Sequence, residues 1–139
     1  MIRAVLDTNV VVSALISPFG NEARALLEIR RGRITPCFSQ PMLDEYAGVL
    51  ARPKFAFPEA EIDALIRVLQ SSGNLFAARP LKGTSPDPKD EPFIACAIAS
   101  QAEFLVTGNK RHFPPGCCGA TRIVSAGELI RELSTPQSP

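Results

Sequence analysis

Ile2-Arg3-Ala4-Val5-Leu6-Asp7-Thr8-Asn9-Val10 is the stretch on which the fold turns. Five residues of mainly apolar character end abruptly on an acid, the pattern of a short buried strand. A helix over 10–16 follows, broken near Pro18 and Gly20. Working outward, the same alternation repeats. Asn21 reads as the N-cap of a helix over 22–31, closed by Gly32. Residues 34–38 form a second strand. Ser39 or Gln40 starts a helix with Pro41 near its first turn and Met42, Leu43, Tyr46, Val49 and Leu50 in a 3.6-residue period. Pro58 opens a helix that Gly73 closes, with Ile62, Leu65, Ile66 and Leu69 as its apolar stripe. A short strand over 75–78, a loop over 79–89 and a helix over 90–101 come next. Strands over 104–107 and 122–124 and a helix over 126–133 complete the series. Strands alternating with helices predict an α/β three-layer sandwich. Its central sheet is mainly parallel and flanked by helices in a Rossmann-like manner.

The bulk composition suits that reading. The chain has 139 residues, 45% hydrophobic and 21% charged, so one domain over 1–133 is expected, with a polar, disordered tail over 134–139. A domain of this size buries roughly 68–70% of its unfolded surface. No apolar run approaches the roughly 20 residues of a membrane span. The N-terminal run is too short for a secretory segment, so a cytoplasmic location is expected. Of the four cysteines, Cys37 and Cys96 lie in apolar runs and read as buried thiols. Cys117-Cys118 reads as a reduced pair in a Gly/Pro loop. None makes a zinc-ligand spacing. Net charge is only +1, but 11 of the 15 cations are Arg, which favours bidentate phosphate contact. They cluster at Arg30-Arg31-Gly32-Arg33, Arg52-Pro53-Lys54 and Lys110-Arg111-His112. The bland alternative is solvated helix ends favoured by the C-terminal dipole.

Sites in open parallel sheets form beyond the carboxyl ends of strands. Asp7 ends the first strand, Thr107-Gly108-Asn109 ends the fourth, and Asp87-Pro88-Lys89-Asp90-Glu91 enters the helix between. Glu45 lies one turn into the helix after the second strand. Each acid has a local explanation: Asp7 and Asp87 as helix caps, Glu91 as a first-turn acid, Glu45 as a solvated residue. Their convergence at one edge has none. Carboxylates brought together repel, and such a cluster calls for a cation. Oxygen donors select Mg²⁺ or Mn²⁺ over zinc.

Four segments, in order, resemble the PIN-domain family, in particular its branch of VapC-type toxins. They are Val5 to Val10, Met42 to Phe55, Asp87 to Ala97, and Phe104 to Phe113. The resemblance spans nearly the whole chain and implies a PIN-like fold and a metal-dependent endoribonuclease acting on single-stranded RNA. It implies Asp7, Glu45 and Asp90 as catalytic metal-binding acids, with Asp87 as a further candidate ligand. Asn9 would orient Asp7. Thr107 would hydrogen-bond the acids or a water at the metal. A fourth acid often follows that threonine in the family, and Asn109 stands there instead. Mg²⁺ or Mn²⁺ would polarise the phosphate and activate water, leaving a 5′-phosphate and a 3′-hydroxyl. Arg52, Lys54, Lys110 and Arg111 would hold the RNA backbone. His112 is the only histidine, so paired-histidine chemistry is excluded, and it reads as a loop residue near the substrate path. The resemblance also implies a small antitoxin partner and a homodimer, for which Phe55, Phe57 and Phe76 offer apolar surface if they do not finish the core.

Two rivals fit poorly. A receiver-like phosphorylation domain needs two acids after the first strand and one at a middle strand end. A haloacid-dehalogenase phosphatase needs a second Asp where Asn9 stands. A third reading is a PIN scaffold that binds RNA or a protein without cutting, and Asn109 speaks for it.

Overall fold

A computed structural model describes residues 2–77 and 87–134. Residues 79–86 of the expected loop, Ala78 of the expected third strand and residues 135–139 of the tail lie outside them. Five parallel strands form one sheet in the order β3-β2-β1-β4-β5. They are β1 (Ile2–Leu6), β2 (Ile34–Phe38), β3 (Asn74–Leu75), β4 (Phe104–Val106) and β5 (Arg122–Val124). The helices are α1 (Thr8–Ile16), α2 (Asn21–Arg30), α3 (Gln40–Leu50), α4 (Glu59–Ser72), α5 (Glu91–Ser100) and α6 (Ala126–Ser134). The sheet is wholly parallel among these residues, which matches the expected α/β sandwich. The chain steps from β1 outward to β2 and β3, then returns to the other side of β1 for β4 and β5. Ala4 pairs with Phe104 and Leu6 with Val106. The β1/β4 seam is therefore a topological switch point, the place where crossing loops part and leave a crevice.

Burial explains which helices are apolar all round. In α5, Phe93, Ile94, Ala95, Cys96 and Ala97 are all buried, and the helix packs on β1 and β2. In α1, Val10, Val11, Val12 and Ala14 are buried. A helix enclosed on several sides has no need of a polar face. By contrast, α4 buries only Ile62, Leu65 and Leu69. No single helix among the described residues is long and apolar enough to cross a membrane.

Several element ends differ from the sequence reading. Helix α1 begins at Thr8 because Asp7 itself is the cap, accepting from Thr8 N–H. Gly20, not Asn21, is the N-cap of α2, and no side chain closes that end. Strand β3 is two residues long and ends at Leu75. The helix expected over 90–101 divides into a 3₁₀ turn, Pro88–Asp90, and α5. Its cap is Asp87, whose carboxylate accepts from Lys89 N–H at 3.0 Å. Helix α6 has a capping box that the S-x-x-E spacing encodes. Ser125 N–H donates to Glu128 at 2.9 Å, and Glu128 N–H donates to Ser125 Oγ at 3.1 Å. Phe55, Phe57 and Phe76 are partly buried against the core, and the first two rings stack with centroids 5.3 Å apart.

Gly73 is fixed by proximity. Its φ of −128° suits any residue, but a Cβ there would lie 2.0 Å from the Pro36 carbonyl oxygen and 2.6 Å from the Pro36 ring. Gly73→Ala must push β2 away from the end of α4. Forced overpacking of this kind costs about 1–3 kcal/mol. Urea denaturation is expected to show the midpoint fall at constant slope; an unchanged midpoint would mean that the chain at 73 moves freely.

The Arg30–Arg33 cluster has a structural use. Glu28, on the buried side of α2, is 2% exposed, and three half-exposed arginines surround it. Arg24 Nε lies 3.4 Å and Arg31 NH1 3.2 Å from Glu28 Oε1. Arg33 Nε lies 3.0 Å from Oε2, off the hydrogen-bonding direction. Arg30 is exposed. All four cysteines are free thiols, and burial pushes that of Cys96 up to about 12. The Cys117 and Cys118 sulfurs lie 3.2 Å apart.

Candidate metal centre at the β1/β4 seam

Two strand ends meet at the seam, and each contributes a side chain to the other. Asp7 N–H donates to the Val106 carbonyl at 2.9 Å. In return the Thr107 hydroxyl donates to Asp7 Oδ2 at 2.7 Å, and Thr8 N–H donates to Oδ1 at 2.8 Å. Both oxygens of a carboxylate that is only 7% exposed are thus oriented. Burial pushes the Asp7 carboxyl above its ordinary range, and the bonds from Thr107 and Thr8 oppose that rise.

Helix α3 brings the second acid. Tyr46, fully buried, donates its hydroxyl to the Leu6 carbonyl and fastens α3 to the end of β1. Glu45, one residue earlier, then faces Thr8, whose hydroxyl donates to its carboxylate. Thr8 therefore links Asp7 to Glu45 through its amide and its side chain. The 3₁₀ turn before α5 brings the third acid. Asp90 is 8% exposed. Its carboxyl is pushed up first by burial and then by the negative charge of Asp7, against the pull of His112. Such a pairing of buried acids favours a cation.

The cleft has a volume of about 350 Å³ and is lined by Asp7, Glu45, Asp87 and Asp90, with Lys89 and His112 at its edge. The oxygen-rich donor set fits a hard divalent cation of the Mg²⁺ or Mn²⁺ kind. Asn9 lines the same cleft as Asp7. Its side-chain oxygen accepts from Gly108 N–H at 3.2 Å, which ties the start of α1 to the turn after β4. Asn109 presents its backbone N–H to Thr107 Oγ1 at 3.0 Å, which leaves the hydroxyl proton for Asp7. The amide side chain is not among the groups lining the cleft.

The cations divide. Lys54 lies over the Phe55 ring, 5.0 Å from its centroid, and Phe55 borders the cleft. Arg52 and Arg111 are exposed. Lys110 is turned aside: its ammonium lies 2.5 Å from Glu128 on α6. That contact, with the bond from Ser125 N–H, holds the Glu128 carboxyl down to about 2. Lys89 lies in the cleft lining, and the sequence reading missed it. Being enclosed by two cap acids in Asp-Pro-Lys-Asp was the available signal. His112 also sits closer to the acids than its loop position suggests. Its Nδ1 is 2.8 Å from Asp90 Oδ2.

Among curated proteins, none matches the chain. A solved structure shares the fold, a chain of the VapBC2 complex from Rickettsia felis, crystallised with a DNA fragment from its promoter. The TM-score is 0.56 at 18% identity, over 88% of this chain and 97% of that one. The PIN domain family matches residues 3–111. That span is well over half of the chain, so this protein belongs to the PIN domain family.

Proposed function

We propose that the protein is a divalent-cation-dependent endoribonuclease that cuts single-stranded RNA at the β1/β4 cleft. PIN domains are generally nucleases that use divalent metals. The observation that carries the reading is the convergence of Asp7, Glu45, Asp87 and Asp90 on one cleft, with Asp7 raised by burial and Asp90 by burial and the charge of Asp7. Asp7, Glu45 and Asp90 would hold the ion, with Asp87 beside them. Bound there, the cation supplies the Lewis acid that polarises a phosphate and makes water nucleophilic at neutral pH. The chain's own residues fix the geometry. Thr107 and Thr8 N–H hold Asp7, Thr8 holds Glu45, and Asn9 and Asn109 stabilise the turn that presents Thr107. Arg52, Lys54, Lys89 and Arg111 would track the RNA backbone, so binding weakens as salt rises. Lys110 is a poorer contact while it pairs with Glu128.

The test is cleavage of end-labelled single-stranded RNA with Mg²⁺, Mn²⁺ or a chelator. Metal-dependent products with 5′-phosphate and 3′-hydroxyl ends are expected. Metal-independent cutting would remove the mechanism. Metal binding without cutting would favour the scaffold reading, for which Asn109 in place of an acid is the specific observation. Thr107→Val keeps the shape of the β4 end and removes the hydroxyl that orients Asp7. Losing such an outer partner is expected to lower Mn²⁺ affinity by about 10–100-fold. Equal affinity by calorimetry would show that the bond to Asp7 contributes nothing to the ion.

The partners belong to the same proposal. The fold neighbour's chain comes from a VapBC complex, and a small antitoxin that covers the cleft is the corresponding partner here. Association of two copies is proposed as well. Co-purification with the product of a neighbouring reading frame, and sedimentation of the isolated chain, test the two points separately.

A further inference from the structure

We propose that His112 is itself a ligand to the cation and makes the site select Mn²⁺ over Mg²⁺; this rests on the nuclease reading above. Nδ1 of His112, a carboxylate oxygen of Asp90 and one of Asp87 lie within 4.8 Å of one another. Among the described residues this is the only grouping of three such side chains at that spacing, and it contains a nitrogen donor. The nearest pair, His112 Nδ1 and Asp90 Oδ2, is 2.8 Å apart. Adjacent ligands on an octahedral ion with bonds near 2.1 Å stand about 3 Å apart. The imidazole and the carboxylate are therefore already spaced as neighbours around one ion. Asp90 is buried and lines the same cleft as Asp7 and Glu45, so an ion held by His112 and Asp90 would sit in the cleft that those acids line.

The surroundings suit this role. Asp87 is anchored by its cap bond to Lys89 N–H, and His112 ends a 3₁₀ turn whose other end pairs through Lys110 with α6. Asp87 and His112 thus sit on short, tethered turns. The side chain of His112 is 41% exposed, so the imidazole reaches the cleft from the rim. Mg²⁺ strongly prefers oxygen and gains little from an imidazole. Affinity for a given site with a nitrogen donor rises along the first-row divalent ions, a series that begins at Mn²⁺ and to which Mg²⁺ does not belong. Adding one nitrogen to three or four carboxylates raises Mn²⁺ affinity and leaves Mg²⁺ affinity nearly unchanged.

His112 is the only histidine in the chain. In tag-free, full-length protein loaded with Mn²⁺, imidazole ¹⁴N coupling in pulsed electron spin resonance can come from no other residue. Coupling is expected in the native protein and its loss in His112→Ala and His112→Gln. Titration with Mn²⁺ and Mg²⁺ by calorimetry is expected to show Mn²⁺ affinity falling about tenfold or more in both variants, at least what an outer partner costs. Mg²⁺ affinity should stay within about threefold. Bound Mn²⁺ without ¹⁴N coupling, or an unchanged affinity ratio, would overturn the ligand role and reduce His112 to an orienting partner of Asp90. The nuclease reading would survive that result provided Mn²⁺ binding is still lost in Asp7→Asn. Native protein that binds no Mn²⁺ at all would overturn both.

Discussion

Asp7→Asn is expected to lower RNA cleavage by about a thousandfold while leaving the protein as stable as before or more so. The two halves of this result have one cause. Asp7 sits where burial raises its carboxyl, which means that the charged form is less comfortable in the folded chain than in water. Replacing it by the neutral amide removes that penalty. Asparagine still offers an oxygen to Thr8 N–H, so the cap of α1 survives, and the Thr107 hydroxyl can turn to accept from the new NH₂. What disappears is the negative charge that would hold the cation, and loss of a group stabilising the transition state costs on the order of 10²–10³ or more. Many active sites show this exchange of stability for activity. The measurements are initial rates on end-labelled RNA with Mn²⁺ and the thermal midpoint in chelator. A rate within about threefold of native would sink the proposed site. A large fall in midpoint would mean that Asp7 is a structural acid instead.

The second large effect concerns stability and lies far from the cleft. Removing Arg24, Arg31 and Arg33 together, each to Ala, is expected to cost about 3–5 kcal/mol, because a buried carboxylate is left without a partner. Glu28 is 2% exposed while each arginine is about half exposed, so the cost is asymmetric. A single Arg→Ala change leaves two cations in place, and exposed partners are worth about 0–1 kcal/mol each. The three single losses should therefore sum to much less than the triple loss. Adding Glu28→Gln to the triple variant removes the stranded charge and should recover much of the stability. Urea denaturation of these variants beside the native protein decides this. Additive single losses, or no recovery on adding Glu28→Gln, would mean that the arginines act by packing alone.

The fold was legible where local chemistry and long-range packing agree. The run Val5-Leu6 before Asp7 could only be a buried strand end, and α4 declared itself by Ile62, Leu65 and Leu69. Legibility failed where tertiary contact overrides local preference. Asn21 is the better capping residue by type, yet Gly20 holds that position with no side-chain bond. Strand β3 owes its two residues to pairing with Cys37 and Phe38, and Asn74 has little strand preference. The acids were legible because each follows a strand or opens a helix. Their tethers were not. Nothing local connects His112 with Asp90, 22 positions earlier, or Lys110 with Glu128 on α6. Glu28 looked like one acid in a basic stretch, because a sequence shows the charge of a residue and hides its burial.

The seam between β1 and β4 also sets when the candidate site can assemble. Asp7 leaves the ribosome 100 positions ahead of the threonine that orients it. Asp90 and His112 are late arrivals too. Contacts so distant in sequence form slowly and only after the intervening chain is available. A nascent chain that stops before β4 holds Asp7, Glu45 and Asp90 but lacks the neighbouring strand, Thr107 and His112, and should bind Mn²⁺ no better than Asp7→Asn does. An interrupted translation product would therefore lack the assembled site, whose completion waits until Thr107 has emerged.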